Sequence, residues 1–286
     1  VFKKYCQILM LPMTLIDLLP VLFIMLVGLP HGAGDGLLAF KNFKPAPKGW
    51  VIFVSSYLAI AGMVVALWYV YPVLGLLLFL IQSCIHFGLG DVSASDLIAR
   101  GTQSQNRLHH WARIIAMGGG PVLLIPLFHP IPVNDVFVLM SGQAASYLII
   151  YVIFLLPVWL AAFGIMLSYL PKTGGRETAL LLLLVGLYFI LPPLWSFAIY
   201  FCCVHSLRHF VVLNTQIDGG LVKSGHLGQI LLFSALPIGV IFLFALQAQA
   251  HFTEALTAGL FIGLAALTVP HMVLVDGLRK HHKFSI

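Results

Sequence analysis

The sequence contains very little charge. Only 8% of its 286 residues are Asp, Glu, Lys or Arg, whereas 60% are apolar, and the mean hydropathy is +1.03. In a soluble domain about a quarter of the residues are charged, because its surface must be hydrated. The scarcity of charge therefore excludes an ordinary soluble domain and favours a protein surrounded by lipid.

Cysteine is also scarce, and the familiar motifs of soluble enzymes are missing. The four cysteines (Cys6, Cys84, Cys202 and Cys203) are too few and too poorly spaced for a disulfide scaffold or a CxxC zinc site. We interpret them as small apolar residues of helices. There is no Walker motif, GxSxG or HExxH. The net charge of +6 comes without a long basic run, so it does not indicate nucleic-acid binding.

The sequence is instead rich in long, continuous apolar segments. Several reach the roughly 20 residues that a helix needs to cross a bilayer, and none alternates as a membrane β-strand does. We predict an all-α, polytopic integral membrane bundle of eight to nine transmembrane segments, forming a single domain over residues 1–286. The predicted spans are 8–29, 50–71, 72–90, 111–128, 147–170, 177–191, 194–213, 227–247 and 255–277.

The basic residues predict the orientation of this bundle. With nine crossings, 13 of the 15 Lys and Arg residues fall on one face, and only Lys3 and Lys4 fall opposite. The positive-inside rule makes the basic face, and with it the C-terminus, cytoplasmic in the plasma (inner) membrane. Lys3 and Lys4 leave open whether the first segment crosses fully. We interpret that segment as a retained helix, because no small-residue cleavage site follows it.

Five histidines lie late in segments that run toward the predicted cytoplasmic face. Ionisable side chains within membrane segments are costly and usually mark function. His205 and His209 are four residues apart, so on a helix their imidazoles share a face and can bind one metal. A single such histidine is most often a packing residue, but several at one depth favour a site for iron, zinc, copper or nickel. The five are His31, His86, His205, His209 and His271.

Two carboxylates stand close to these histidines along the chain. Asp35 follows His31 by four residues, and Asp91 follows His86 by five. A metal-bound histidine usually donates its second ring N–H to a carboxylate or a carbonyl. We therefore predict that Asp35 orients His31 and that Asp91 orients His86. For His271 three roles stay open, namely a fifth ligand, a group that orients a ligand, and a packing residue.

Four segments of the chain resemble the signatures of a known family. They are GLPHGAGD, IHFGLGD, CCVHSLRHF and TVPHMVLVD, and they resemble, in order, segments of the bacteriorhodopsin-related-protein-like family of bacterial and archaeal β-carotene 15,15′-dioxygenases. The resemblance spans nearly the whole chain. In one respect the chain departs from it: where the family often has a histidine after the first motif's Asp, this sequence has Gly36.

The resemblance implies both a site and a reaction. It implies non-haem Fe(II) held by four histidines, and cleavage of all-trans-β-carotene by O2 at its central double bond. The products would be two molecules of all-trans-retinal, which typically supply a microbial rhodopsin. The substrate would be drawn from membrane lipid. The implied ligands are His31, His86, His205 and His209, with Asp35, Asp91 and His271 around them.

Two other kinds of protein compete with this interpretation. Membrane di-iron desaturases and hydroxylases need about eight histidines in boxes that include an HxxHH pattern, which this sequence lacks. A haem-binding or metal-transporting membrane protein would use histidines without cleaving a carotenoid. A transporter is expected to carry its ligands near the bilayer midplane, whereas these histidines are predicted toward one face.

Overall fold

The structure is a computed structural model that describes residues 15–43, 46–98, 106–169, 175–217, 220–223 and 225–280. Apart from short turns and breaks, the described residues are helical, as predicted. Eight of the helices in the described ranges are long and apolar enough to cross a membrane. They are Ile16–Lys41, Pro47–Val70, Pro72–Ile98, Arg107–Phe128, Gln143–Ser168, Pro193–Gln216, His226–Gln247 and Phe252–Val275. The prediction of a multi-pass membrane bundle is confirmed.

The predicted span 177–191 forms a helix that is shorter than the eight helices above. It covers Arg176–Ile190, 15 residues, fewer than the roughly 20 that cross a bilayer without help. The expected break at Pro192-Pro193 is present, because Leu191 adopts an extended backbone and a new helix begins at Pro193. Proline fits that first position since it has no N–H to lose.

The chain forms two compact units. The first contains Leu76–His209, and the second is formed by Pro12–Gly75 and Phe210–Ile286. The helices of the first unit are α4 (Pro72–Ile98, which begins in the second unit), α5 (Arg107–Gly119), α6 (Ile125–Phe128), α7 (Pro130–Ser141), α8 (Tyr147–Ser168), α9 (Arg176–Ile190) and α10 (Pro193–Ile199), with a π-helical segment at Tyr200–Ser206. Those of the second are α1 (Leu15–Phe23), α2 (Asp35–Phe43), α3 (Pro47–Val70), α11 (Leu207–Gln216, which begins in the first unit), α12 (Gly220–Lys223), α13 (His226–Gln247) and α14 (Phe252–Lys280).

Glycines allow two helices of the first unit to approach closely. A Cβ added to Gly118 on α5 would lie 1.9 Å from the carbonyl oxygen of Cys84 on α4. One added to Gly88 would lie 2.2 Å from the carbonyl oxygen of Ile114. Small residues bring the backbones of membrane helices together in this way. The contact fixes the helix that carries His86.

A buried ion cluster joins three helices of the first unit. The Arg113 guanidinium donates to Asp96 at 2.6 Å and to both carboxylate oxygens of Glu177 at 2.7 Å. Since Asp96 lies on α4, Arg113 on α5 and Glu177 on α9, one cation holds three helices. Nearby, the buried His109 ring stacks on Tyr169.

The helices are irregular where the histidine motifs lie. A π-helical segment at Ile24–Gly28 is followed by a 3-10 segment at Leu29–Gly34, which contains His31. The π-helical segment Tyr200–Ser206 contains His205. Such irregular turns often occur at functional sites. The first span was predicted to end at residue 29. That end was wrong, because consecutive helical segments continue through the motif to Phe43.

Candidate functional site

Two histidines face each other in the interior of the first unit. His86, on α4, and His205 are 8% and 2% exposed, and their Nε2 atoms lie 3.2 Å apart. Two imidazole nitrogens bound at about 2.0–2.1 Å to one tetrahedral metal would be about 3.3 Å apart. The pair therefore has the spacing of two ligands of one metal ion.

Asp91 is the polar centre of this part of the first unit. It is fully buried, and its Oδ1 accepts a hydrogen bond from His205 Nδ1 at 3.2 Å. Its Oδ2 accepts from the Tyr200 hydroxyl at 2.9 Å, and Arg208 lies 3.8 Å from the same oxygen. With Nδ1–H committed to Asp91, a neutral His205 presents its lone pair at Nε2, on the side of His86.

Aromatic side chains enclose the His205 ring. Phe87 meets it edge-on with the ring centroids 4.8 Å apart, and Phe201 stacks on it at 5.9 Å. Gly90 also lies close to the ring, because a Cβ added to it would be 3.1 Å from His205 Cε1. Rotation of the imidazole is therefore restricted by packing as well as by the hydrogen bond to Asp91.

His209, the fourth predicted ligand, lies one turn after His205 on α11. Its side chain is half-buried. The helix changes from π to α geometry between the two histidines, at Leu207. Its place among the ligands stays a prediction.

The second unit contains another pair of buried histidines. His31 and His271 are 7% and 2% exposed, and their rings meet edge-on with centroids 5.6 Å apart. His31 Nδ1 donates to the carbonyl oxygen of Gly28, one turn earlier. His271, on α14, donates from Nδ1 to Asp35 Oδ1 at 2.7 Å. The other Asp35 oxygen accepts from the Tyr57 hydroxyl at 2.9 Å.

The aspartate partners differ from those expected. The described hydrogen bonds join Asp91 to His205 and Asp35 to His271, rather than to the histidines nearest in sequence. On an α-helix, residues five apart point about 140° away from each other, so Asp91 cannot readily face His86. His31 lies in a 3-10 segment, where a spacing of four places side chains about 120° apart.

An apolar cavity in the second unit reaches His31 and His271. Its wall combines aliphatic and aromatic side chains of α3, α13 and α14 with a few polar groups, among them Tyr57, Asp35 and Thr268. Several wall residues, such as Leu58 and Leu236, are more than half exposed on the outside of their helices. In a lipid environment the cavity is accessible to an apolar molecule from the bilayer.

Sequence reasoning missed Tyr57 and its link to Asp35. The segment IFVSSYLAIAG offers no signal beyond a tyrosine in an apolar span, where packing is the default expectation. The role of Tyr200, whose hydroxyl donates to Asp91, also has no signal in the sequence beyond the position of this residue near His205.

The buried histidines of each unit are suited to a transition-metal ion. His86 and His205 in the first unit and His31 and His271 in the second are buried, and three of the four imidazoles have a hydrogen-bond acceptor at Nδ1. Engaging Nδ1 in this way leaves Nε2 as the ligand atom of a neutral ring. Imidazole donors suit iron, zinc, copper and nickel alike.

Comparisons with known proteins agree with one another. The family model described as "Beta-carotene 15,15'-dioxygenase" matches residues 22–279. A "Beta-carotene 15,15'-dioxygenase" from uncultured marine bacterium 66A03 is 32% identical over 284 residues, covering 96% of this chain and 98% of that protein. A "Probable beta-carotene 15,15'-dioxygenase Blh" from Halobacterium salinarum is 26% identical over 281 residues, covering 88% and 81%. No solved structure matches the chain.

Proposed function

We propose, since this chain belongs to the beta-carotene 15,15'-dioxygenase family, that it cleaves all-trans-β-carotene with O2 at the central 15,15′ double bond. The chain is an oxidoreductase of that class. The double bond between C15 and C15′ breaks, and each carbon gains one oxygen atom, so one carotene and one O2 give two molecules of all-trans-retinal. The retinal would supply a microbial rhodopsin.

We propose that Fe(II) is bound by His31, His86, His205 and His209. The observation that best supports a metal is the buried pair of Nε2 atoms of His86 and His205, 3.2 Å apart. Bound Fe(II) would supply the redox chemistry through which O2 reacts with an alkene. The ligand set itself follows from the family resemblance.

The residues around His205 in the first unit position this proposed ligand and do not take part in the reaction themselves. Asp91 keeps the proton of His205 on Nδ1, and Tyr200 and Arg208 keep Asp91 in place. Phe87 and Phe201 exclude water from the ring. Dry, aromatic surroundings also suit a polyene substrate, which has no polar group to bind.

The cavity of the second unit is the proposed route for the substrate. β-Carotene is a hydrocarbon, so its position must be set by shape in an apolar channel. The cavity wall is mainly apolar, and residues such as Leu58 and Leu236 belong both to the wall and to the outer surface. A carotenoid dissolved in the bilayer could enter there without crossing water.

The experiment is expression of the chain in bacteria that make β-carotene. Orange cells should become pale and accumulate all-trans-retinal as the cleavage product, in a manner that needs O2 and stops with an Fe(II) chelator. Labelled O2 should place one labelled oxygen on each aldehyde, after correction for exchange with water. His209→Ala cells should stay orange, whereas His251→Ala, an exposed histidine, should leave cleavage intact.

The outcomes separate the parts of this proposal. Unchanged carotene in well-expressing, iron-loaded cells would refute the assignment to β-carotene and leave a metal protein without carotenoid cleavage. A ladder of apocarotenals would refute a fixed position of the polyene. If the two single variants His209→Ala and His86→Ala both cleaved carotene at the wild-type rate, the four-histidine site would be refuted.

A further inference from the structure

We infer that Gly36 and Phe233 set the width of the cavity in the second unit, and thereby decide whether the ring-bearing end of a carotenoid can occupy it. Gly36 is then a specificity-determining residue, and Phe233 is the side chain through which it acts. The inference rests on the proposed function, because it takes the cavity as the site of one end of β-carotene. All the residues that carry it belong to the second unit.

The first observation is a close contact between these two residues of the cavity wall. A Cβ added to Gly36 would lie 3.4 Å from Cε2 of Phe233, with Cδ2 and Cζ of the same ring at 3.8 and 4.0 Å. A single methyl group would therefore be in ordinary van der Waals contact with the ring. A longer side chain must extend into the place of the ring or into the cavity itself, so that less space remains for a ligand.

The second observation is that the backbone at Gly36 is held in place by its neighbour in the chain. Asp35 is 3% exposed and accepts hydrogen bonds from Tyr57 at 2.9 Å and from His271 at 2.7 Å. These bonds tie the start of α2 to α3 and α14. Helix α2 therefore cannot readily move back to make room for a larger side chain at residue 36.

The third observation is a row of aromatic side chains on α3. Trp50, Phe53 and Tyr57 all line the cavity. The rings of Trp50 and Phe53 meet edge-on with centroids 5.8 Å apart, and those of Phe53 and Tyr57 are 6.0 Å apart. Tyr57 is fixed further by its hydrogen bond to Asp35. Since each ring packs against the next, this part of the wall is also stiff.

The fourth observation is that Phe233 has freedom to move. Its side chain is 50% exposed, so much of the ring meets lipid rather than protein. Helix α13 contains Pro237, which has no N–H to donate to the carbonyl oxygen of Phe233 four residues earlier, and a proline within a helix weakens it at that turn. With Gly36 and α3 held in place, the position of the Phe233 ring sets the width of the cavity.

The chemistry of the ligand makes this width decisive. Each end of β-carotene is a methyl-substituted cyclohexene, which is broader than the polyene chain and has no polar group that could offset a poor fit. In an apolar pocket one methylene changes discrimination between ligands by about 10–200-fold. The missing side chain at Gly36 is therefore sufficient to admit a ring where a larger residue would admit only a linear end.

The test is carotenoid binding by the purified, full-length protein without O2, so that no cleavage occurs. The shift of the carotenoid absorption band gives the dissociation constant. Gly36→Leu should bind β-carotene about 10–200-fold more weakly than the wild type. Gly36→Ala, whose methyl group is in ordinary contact, should lose less. Lycopene, an acyclic carotenoid hydrocarbon, should bind to the wild type and should be weakened less than β-carotene by both variants.

A second variant connects the effect to the ring of Phe233. In a Phe233→Ala background the leucine of Gly36→Leu can occupy the space of the deleted ring, so most of the loss caused by Gly36→Leu should disappear. Gly62→Leu is the matched control, because Gly62 is an exposed residue of α3 with no atom within 4 Å of an added Cβ. It should bind both carotenoids like the wild type. Circular dichroism and iron content show whether each variant keeps its fold and its metal.

The outcomes distinguish this inference from the proposed function. Wild-type affinity of Gly36→Leu for β-carotene, equal losses for β-carotene and lycopene, or an equal loss with and without Phe233 would each overturn the inference. Failure of lycopene to bind the wild type would also overturn it, because a thinner molecule must fit where the ring fits. If Gly36→Leu does not fold, Gly36→Ala in both backgrounds decides in the same way. Cleavage of β-carotene by the wild type would leave the proposed function standing in all these cases, whereas a wild type that neither binds nor cleaves β-carotene would overturn both.

Discussion

At the scale of the residue, the buried rings of His205 and His271 are each oriented by a carboxylate that lies far away in sequence. Asp91 and His205 are 114 residues apart, and Asp35 and His271 are 236 apart. Each aspartate uses both oxygens, one for the imidazole and one for a phenol. Replacing one carboxylate oxygen of such an aspartate therefore disturbs the orientation of its imidazole partner, while the imidazole itself is retained.

Asp91→Asn tests this arrangement in the first unit. The amide can no longer accept from both Tyr200 and His205, and it removes the negative charge that opposes Arg208. We expect iron affinity or carotene cleavage to fall by about 10–100-fold without being abolished. Iron content and the rate of retinal formation measure the effect. Asp135→Asn, a partly buried aspartate on α7, is the matched control.

Gly90→Ala tests how closely the His205 ring is packed. The new methyl group would lie 3.1 Å from His205 Cε1, and Phe87, Phe201 and Asp91 prevent the ring from moving away freely. A displaced ligand can cost up to about 100-fold in rate, and we expect a loss of turnover with the helix content retained. Gly164→Ala has no atom within 4 Å of the added carbon and should behave as wild type. Equal turnover in both variants would show that the ring has room to shift.

At the scale of the element, the helices of the first unit are held by a mixture of close backbone contact and buried charge. Gly88 and Gly118 bring α4 and α5 together, and the Arg113 cluster adds α9. The same helix α4 carries His86, Asp91 and Asp96. Asp96, which the Arg113 cluster holds, is therefore joined to His86 by a rigid helical stretch about three turns long.

Arg113→Met is expected to destabilise the protein strongly. It leaves the buried Asp96 and the partly buried Glu177 without their cation, and breaking a buried pair in this way costs about 3–5 kcal/mol. Unfolding in detergent, followed by circular dichroism, measures the change. The triple variant Arg113→Met, Asp96→Asn, Glu177→Gln removes the uncompensated charges and should recover part of the loss. No recovery would mean that packing of the Arg113 side chain, rather than charge, is responsible.

At the scale of the whole molecule, the exposed surface is apolar because the chain lies in a membrane. Large hydrophobic side chains are exposed on α3, α8 and α13, for example Val51, Phe154 and Leu232. In water such surfaces would drive association, whereas in a bilayer they meet lipid. The distribution of Lys and Arg then decides which way the bundle is inserted.

Reporter fusions test that orientation. With 13 of 15 basic residues on one predicted face, the C-terminus and the loop after Ile98 should report a cytoplasmic location. A fusion in the segment between α3 and α4 should report the opposite side. A C-terminus on the outer side would contradict the orientation predicted from charge.

The sequence by itself determined the class of fold and the residue types of the site. Helical spans follow from runs of about 20 apolar residues, a property that is local in the chain. Even the break at Pro192-Pro193 follows from proline chemistry and is present as a break after Ile190. The buried histidines and aspartates could be singled out because polar groups are rare and costly in such spans.

The tertiary structure alone decided which of these groups are partners. His31 and Asp35, and His86 and Asp91, are neighbours in sequence, but helix geometry turns their side chains apart. Asp91 instead accepts from His205 on another helix, and Asp35 from His271. Such contacts depend on how helices pack within each unit, through close approaches such as that at Gly118. Hydropathy carries no information about them, and for the same reason Tyr57 could not be recognised as a partner of Asp35 from the sequence.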